Sequence, residues 1–214
     1  MQAVNTGKHL ILASASPRRR ELLAACCLDV EVCPADIDET RRAEESPVEL
    51  VRRLAEEKAH AAYAALDRSL DVPLLAADTI VWDDAGSVLG KPVDKDDARR
   101  MLSLLSGATH HVSTGVCLMA PAGGELREVS FVETTDVRFF DLSSDEIAAY
   151  VASGEPMDKA GSYGIQGLGR ALVRDISGDY ANVVGLPVSR VLRELDQLCE
   201  GGDFLLSALR GGGA

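Results

Sequence analysis

The sequence has little positive charge. Its 214 residues carry 22 Lys and Arg against 34 Asp and Glu, which gives a formal net charge of −12 at pH 7. A chain of this charge repels a polyanion, so a nucleic-acid polymer is excluded as a partner unless a basic stripe exists, and none is visible. Small basic groups beside acids suit either a local anionic ligand or solvated helix faces. These groups are residues 18–20, 41–42, 52–53 and 99–100.

The sequence also lacks metal-binding cysteine spacing and long apolar runs. Its 5 cysteines show no C-x-x-C pair, which argues against a zinc or redox site and predicts reduced, mostly buried thiols. The apolar stretch at residues 10–15 is too short for a signal peptide, and arginines follow it. No segment approaches the length of a membrane span. We therefore expect a cytoplasmic protein with no membrane partner.

The composition is that of an ordinary globular protein, with 46% hydrophobic and 26% charged residues. The length suits one domain, built as two lobes around a cleft. We assign that domain to residues 1–200. We expect residues 201–214, which end in a glycine run, to be a flexible tail.

Strand and helix patterns alternate along the chain, which predicts an α/β fold with an elongated mixed sheet and flanking helices. Helix starts are marked by Ser16 before Pro17, by capping boxes at Ser46 and Ser143, and by Asp94. The predicted strands are residues 9–14, 30–37, 73–82 with a return through 89, 110–119, 128–140 and 171–176. The predicted helices are residues 17–27, 47–67, 94–105, 143–153 and 187–199.

The first candidate site is the strand-to-helix corner at Ser14, Ser16, Arg18 and Arg19. The free N–H groups and dipole of a helix start attract an anion. An arginine can hold phosphate through two hydrogen bonds. From these residues alone, a phosphate site and an ordinary capped helix with exposed arginines are equally supported.

The second candidate is Asp78, a charged residue inside an apolar predicted strand. Burial of an unpaired carboxylate costs several kcal/mol, so Asp78 needs a cation or a cleft. A carboxylate on a strand can bind a divalent metal or accept a proton from water. A structural ion pair is the weaker alternative.

Three further charged residues are individually weak candidates. Lys91 follows the predicted hairpin, Glu39 follows the second strand, and Lys58 lies on the long helix. Taken alone, the sequence around Lys58 is more typical of a solvated lysine than of one that binds a ligand. A triphosphate–metal complex, however, needs cations and carboxylates together, and these residues fall at element ends on one side of a sheet.

The glycine-rich segment 154–169 has no periodicity, and we interpret it as an ordered loop of functional type. Gln166 in this loop offers both a donor and an acceptor, which complements a pyrimidine imide edge, although loop-stabilising hydrogen bonds would explain it as well. His110 and His111 do not suggest a metal pair, because neighbouring residues of a strand point to opposite faces.

Five short motifs together resemble the Maf-type nucleotide pyrophosphatases. They are residues 12–19 (LASASPRR), 77–79 (ADT), 90–92 (GKP), 158–161 (DKAG) and 165–167 (IQG). Their order and context match the family over nearly the whole chain. Several motifs in consistent order are far more specific than any single one.

The resemblance implies an inosine-triphosphatase-like fold and hydrolysis between the α and β phosphates with Mg²⁺ or Mn²⁺. It implies that Asp78 accepts the proton of water and that Glu39 helps to hold the metal. It further implies phosphate or transition-state contacts from a basic and hydroxyl set: Ser14, Arg19, Lys58 and Lys91. A homodimer is a further family-based expectation.

Within the family, residues 163–167 (YGIQG) resemble the subgroup that acts on dTTP and UTP. Arg18, Thr79 and Gln166 match the positions taken to set that preference. The alternatives are hydrolysis of 7-methyl-GTP or another modified nucleotide, and a nucleotide-binding regulator of septum formation without catalysis.

Overall fold

A computed structural model describes residues 8–66 and 69–211 of the chain. Its centre is a 7-stranded sheet in the order β2-β1-β3-β5-β6-β7, with β4 beside β3. The strands are β1 (His9–Leu12), β2 (Asp29–Val32), β3 (Leu74–Trp82), β4 (Val88–Leu89), β5 (Thr109–Ala122), β6 (Glu125–Phe139) and β7 (Val173–Ser177). The helices are α1 (Pro17–Ala25), α2 (Pro47–Ala65), α3 (Lys95–Leu105), α4 (Ser144–Ala152), α5 (Tyr180–Val184), α6 (Val188–Leu198) and α7 (Phe204–Leu209).

The sheet is mixed, as predicted. Strand β1 pairs in parallel with β2 and β3, whereas β4, β5, β6 and β7 join by antiparallel pairing. The parallel part needs the crossover helices α1 and α2, and the antiparallel part is a meander with a tight turn at Gly123 and Gly124. The α/β fold with a mixed sheet and flanking helices is thus confirmed.

The predicted helix caps are confirmed. The Ser16 and Asp94 side chains accept backbone N–H bonds at the starts of α1 and α3. Ser46 and Ser143 form complete capping boxes with the glutamates three residues later. These caps satisfy backbone donors that a helix start otherwise leaves unpaired.

Separate hydrophobic clusters lie toward the two ends of the long strands. One cluster packs the start of β3 and the end of β5 against α1 and α6, through residues such as Leu75, Leu118 and Leu192. Another packs the opposite ends of these strands against α3 and α4, through residues such as Val81 and Val112. Between the two, β3 carries Asp78 and Thr79.

A gap beside β3 creates the cleft. Among the described residues, β1 pairs with β3 only as far as Leu75, and β4 begins to pair with β3 at Val81. Between these points, no strand formed by the described residues lies beside this edge of β3. Asp78 lies in the middle of β3, inside the strand as predicted, and the cleft forms beside it where the neighbouring strands stop.

Helix α2 lies very close to the sheet opposite Asp78. Gly115 on β5 is the register partner of Asp78. A Cβ atom at Gly115 would lie 2.1 Å from the carbonyl oxygen of Val51 in α2. Only glycine fits there, so this position determines how closely α2 approaches β3.

Several predicted boundaries were wrong. The second strand ends at Val32, and not at residue 37, because its partner β1 ends at Leu12 and offers no further backbone to pair with. Residues 204–209, predicted as part of a frayed tail, form α7, since Phe204 is buried and Asp196 accepts its backbone N–H. Residues 212–214 of that tail lie outside the described residues.

Helix α5 was missed, and the loop before β7 is more regular than expected. Segment 154–169 is built largely of short 3-10 turns at Glu155–Asp158, Ala160–Ser162 and Leu168–Ala171. The last of these includes Ala171, so β7 begins two residues later than predicted.

All 5 cysteines are free, as predicted, although Cys117 alone among them is fully buried. Across the described residues, none of the helices combines the length and apolar character needed to cross a membrane.

Candidate functional site

Arg19 is the anchor of the cleft. It lies in the first turns of α1, and only 8% of it is exposed. Its guanidinium donates to three oxygens: Nε to the carbonyl of Gly185 at 2.9 Å, Nη1 to Ser14 Oγ at 2.9 Å and Nη2 to Thr79 Oγ1 at 3.0 Å. An arginine has five N–H donors, so two are not used in bonds to residues that the structure describes and could serve a ligand.

The charge of Arg19 is maintained in this setting. Burial lowers the pKa of its guanidinium, and the Asp78 carboxylate opposes that effect. Because an arginine ordinarily titrates above pH 12, the side chain stays cationic. The structure therefore fixes a positive charge at the end of β1, beside the start of α1.

Lys58 joins two carboxylates on the other face of β3. Its ammonium lies 2.5 Å from Asp78 Oδ1 and 2.6 Å from Glu39 Oε1. Lys58 and Asp78 are 12% and 14% exposed, whereas Glu39 is 59% exposed. Asp78 thus has the cation that its burial requires, and Lys58 is not the freely solvated lysine that its sequence context suggested.

The remaining predicted residues line the same space. The cleft, of about 760 Å³, is lined by Ser14, Glu39, Lys58 and Lys91 among others. An adjoining cavity of about 210 Å³ reaches Gln166. The two spaces share the walls formed by Arg18, Arg19, Asp78, Thr79 and Lys91. Every residue predicted from sequence for the site therefore lines one connected region.

Arg18 contacts the glycine-rich loop across the cleft. Its Nη1 lies 3.6 Å from Asp158, which also accepts a 2.6 Å bond from Lys159. The bond from Lys159 is the main cause of the lowered pKa of Asp158. Arg18 extends from α1 and Asp158 from the loop, so this pair joins the two sides of the cavity.

Tyr150 and Glu155 hold the loop in place. The Glu155 carboxylate accepts the Leu168 N–H at 2.7 Å and the Gly169 N–H at 3.0 Å, and the Tyr150 hydroxyl donates to it at 2.9 Å. A side chain at Gly167 would collide with this carboxylate, since its Cβ would lie 2.3 Å from it. The glycines therefore allow the loop to fold around Glu155, which leaves Gln166 exposed beside the cavity.

The sequence prediction missed the polar network behind Arg19. Thr79 Oγ1 lies 2.9 Å from Thr114 Oγ1, which in turn donates to the Asn182 carbonyl at 3.3 Å. Asn182 is fully buried and bonds through Nδ2 to Val112 and Thr135. Helix α5 carries Asn182 and is followed by its C-cap residue Gly185, and its sequence signal was the cap at Asp179.

The two adjacent histidines point apart, as predicted. His110 is buried, and its Nε2 lies 2.9 Å from the Tyr163 hydroxyl. Burial lowers the pKa of His110 to about 4, with a smaller effect from His111. His111 contacts Asp136 and Asp84, and these hydrogen bonds outweigh the opposing effect of burial and raise its pKa.

The available metal donors are few and of one chemical kind. Asp78 and Glu39 supply carboxylate oxygens, which Mg²⁺ and Mn²⁺ favour. Within the described part of the chain, no group of three or more His, Cys, Asp or Glu residues could hold an ion. Mg²⁺ commonly uses one or two carboxylates together with substrate phosphates, and the site fits that mode.

Fold and site together define a class of protein. It is an α/β protein with a mixed sheet, and its cleft lies beside the middle of β3. Basic side chains, two carboxylates and the start of α1 surround this cleft. This arrangement suits a small polyanion bound with a divalent metal. A sequence profile described as Maf-like protein matches residues 9–198. The chain belongs to the Maf family.

Its relatives are similar over nearly their whole length. A protein of Bacillus cytotoxicus named dTTP/UTP pyrophosphatase is 48% identical over 194 residues, covering 91% of this chain and 97% of the relative. One of Bacillus cereus with the same name is 47% identical, covering 89% and 95%. One of Bacillus anthracis, again so named, is 48% identical with the same coverage.

Among solved structures, the Staphylococcus aureus Ham1 protein aligns with 63% of this chain and 73% of its own, at 15% identity and a TM-score of 0.44. The expected inosine-triphosphatase-like architecture stays a prediction.

Proposed function

We propose that the protein hydrolyses nucleoside triphosphates, preferentially dTTP and UTP, to the monophosphate and pyrophosphate. The observation that carries the proposal is the convergence of Arg19, Lys58, Lys91, Asp78 and Glu39 on one cleft. The names of relatives about 48% identical to the chain support the substrate class.

Phosphate binding is assigned to the basic residues and to the start of α1. Arg19, held by Ser14 and Thr79, lines the cleft. Lys91 is exposed beside it. These cations neutralise negative charge that develops on the phosphates during transfer. Arg18, which lines both spaces, is assigned with Thr79 and Gln166 to the preference for dTTP and UTP.

Asp78 is assigned the role of general base. Its Oδ1 contacts Lys58, and its carboxylate borders the cleft. Water attacks the α-phosphorus in line, its proton passes to Asp78, the bond from the α-phosphorus to the bridging oxygen breaks, and pyrophosphate leaves with that oxygen. No covalent intermediate is required.

We assign Glu39 and Asp78 as the residues that hold a divalent cation, Mg²⁺ or Mn²⁺, together with the substrate phosphates. When bound, the cation supplies charge neutralisation at the phosphates. Lys58 lies between both carboxylates and keeps them close together before substrate enters.

Recognition of the nucleobase is assigned to the smaller cavity. Gln166 offers one donor and one acceptor group, which complements the imide edge of uracil or thymine. Thr79 is assigned an indirect part, because its hydroxyl bonds to Arg19 and to Thr114.

The proposal is tested with a panel of dTTP, UTP, 7-methyl-GTP and ITP, assayed for pyrophosphate release with Mg²⁺ and with chelator. We expect turnover of dTTP and UTP that chelator abolishes. Asp78→Asn should lower kcat by about 10²- to 10⁴-fold while nucleotide binding persists, because loss of a general base costs about that much. Wild-type turnover in this variant would refute the assignment of Asp78 and favour a role in binding alone.

A further inference from the structure

Glu39 lies in a segment that has no regular secondary structure. Residues 33–45 connect β2 to α2 without forming a helix or a strand. Ile37 is the part of this segment that packs against the hydrophobic cluster around Leu50 and Leu54. Glu39 itself is 59% exposed. Burial of its own side chain therefore does not hold its carboxylate at the cleft, and other contacts must do so.

Lys58 contacts the carboxylate, and Arg53 of α2 supplies contacts to the segment that carries it. Its Nε and Nη2 donate to the two carboxylate oxygens of Glu45 at 2.7 and 3.0 Å. Nη2 also donates to the backbone carbonyl of Thr40 at 3.1 Å, and Nη1 donates to Glu57 at 3.0 Å. The Arg53 and Glu45 side chains are only 12% and 9% exposed. A two-pronged pair with so little exposure is better fixed than an ordinary surface ion pair.

These contacts hold the chain immediately after Glu39. Thr40, whose carbonyl is held, is the next residue in the chain, and Glu45 lies at the end of the same segment. Lys58, which contacts the Glu39 carboxylate, lies on the same helix as Arg53. Helix α2 thus fixes both the backbone next to Glu39 and the position of its carboxylate.

We infer that Arg53 is a positioning residue for Glu39, and so for the divalent cation that Glu39 would hold. Arg53 does not line the described cleft or the adjoining cavity. It acts through the backbone of residue 40. The inference rests on the proposed function, because it gives Glu39 the task of binding metal with the substrate.

A lysine at this position would keep the charge but lose the geometry. An ammonium cannot bond to both Glu45 oxygens and the Thr40 carbonyl in the planar arrangement of a guanidinium. Partners that orient a metal ligand typically change metal affinity by about 10- to 100-fold when they are replaced. We expect Arg53→Lys to weaken the cation site by an amount in that range.

The test is a Mn²⁺ titration of the full chain, followed by electron paramagnetic resonance of free Mn²⁺, with α,β-imido-dUTP as a non-hydrolysable probe. Arg53→Lys should bind Mn²⁺ about 10- to 100-fold more weakly than the wild type. The matched control is Arg100→Lys, which alters an exposed arginine paired with Asp97 on α3, away from the cleft. The control should bind Mn²⁺ like the wild type.

A double variant separates positioning from a general structural effect. If Arg53 acts through Glu39, Arg53→Lys should add no further loss in a Glu39→Gln background. Equal losses in both backgrounds would overturn the inference, as would unchanged Mn²⁺ affinity in folded Arg53→Lys. If that variant does not fold, Glu45→Gln replaces it, with a smaller loss expected and an unchanged affinity counting against the inference.

The outcome for Glu39→Gln alone separates this inference from the proposed function. An unchanged Mn²⁺ affinity in that variant would overturn both the role of Arg53 and the assignment of Glu39 to the metal. Hydrolysis itself would still be judged by pyrophosphate release from the nucleotide panel.

Discussion

Gly115 determines how closely α2 approaches the sheet, and replacing it should separate Lys58 from Asp78. An added Cβ would lie 2.1 Å from the Val51 carbonyl oxygen and 2.6 Å from its carbon, both of them backbone atoms of a helix. Ordinary contact begins at 3.4 Å. The helix must therefore retreat by roughly 1 Å or tilt, because no side chain can turn aside.

The displacement reaches the site because Lys58 lies on the same helix. Its bond to Asp78 is 2.5 Å long and would lengthen as α2 moves. Overpacking of this kind costs about 1–3 kcal/mol of stability. A misplacement of about 1 Å in a catalytic arrangement can lower the rate by about 100-fold. We predict that Gly115→Ala lowers both the free energy of unfolding and kcat for dTTP.

Chemical denaturation and pyrophosphate release measure the two effects separately. Gly124→Ala is the control, because Gly124 has φ +84 in the β5–β6 turn and no atom of the described residues lies within 4 Å of an added Cβ. That variant should lose about 1 kcal/mol through backbone strain and keep its kcat. Gly115→Ala with kcat within about twofold of the wild type would refute the argument, since the rate loss predicted is far larger.

Three further predictions concern charge and specificity. Hydrogen bonds from Arg53 are the main cause that lowers the pKa of Glu45 to about 2, from an ordinary value of 4.5. The carboxylate therefore contributes to stability above pH 4.5, and this contribution disappears as the pH falls toward 2. The difference in free energy of unfolding between wild type and Glu45→Gln, measured with urea, should vanish over that range, and a constant difference would contradict this. In an NMR titration, His110 should remain neutral down to about pH 4, whereas His111 should titrate with a pKa above its ordinary value of 6.5. A higher pKa for His110 than for His111 would be inconsistent with the burial of His110. Gln166→Glu should lower the ratio of kcat/KM for UTP to kcat/KM for 7-methyl-GTP by about 10-fold, because a lost hydrogen bond is worth about 1–3 kcal/mol. An unchanged ratio would show that Gln166 does not select the nucleobase.

Local signals predicted most of the fold. The helix starts were predictable because caps such as Ser16 and Ser46 act within one turn. The end of β2 was not, since it depends on where β1 stops, a fact of pairing that no local pattern contains. Helix α7 is held by the burial of Phe204 in a cluster that includes residues of α6, and by Asp196 of α6, which accepts the Phe204 N–H. The glycine-rich sequence around this short helix gave no sign of that packing.

The residue types of the site were predictable, and their connections were not. Asp78 was found because a charge interrupts an apolar strand, and Arg19 because it follows a cap. The carbonyl of Gly185 and the hydroxyl of Thr114 gave no signal, because a backbone acceptor and a buried threonine look ordinary in sequence. The support of Glu39 by Arg53 likewise exists only after α2 packs beside the loop.

The central claim is that the residues of this cleft direct water to the α-phosphorus of a triphosphate. Hydrolysis of dTTP in ¹⁸O-labelled water, with products resolved by mass spectrometry, tests it most directly. The account predicts the label in dTMP and unlabelled pyrophosphate, with labelled dTMP formed about 10²- to 10⁴-fold more slowly by Asp78→Asn. Label in pyrophosphate or in inorganic phosphate, or formation of labelled dTMP by Asp78→Asn at the wild-type rate, would contradict it.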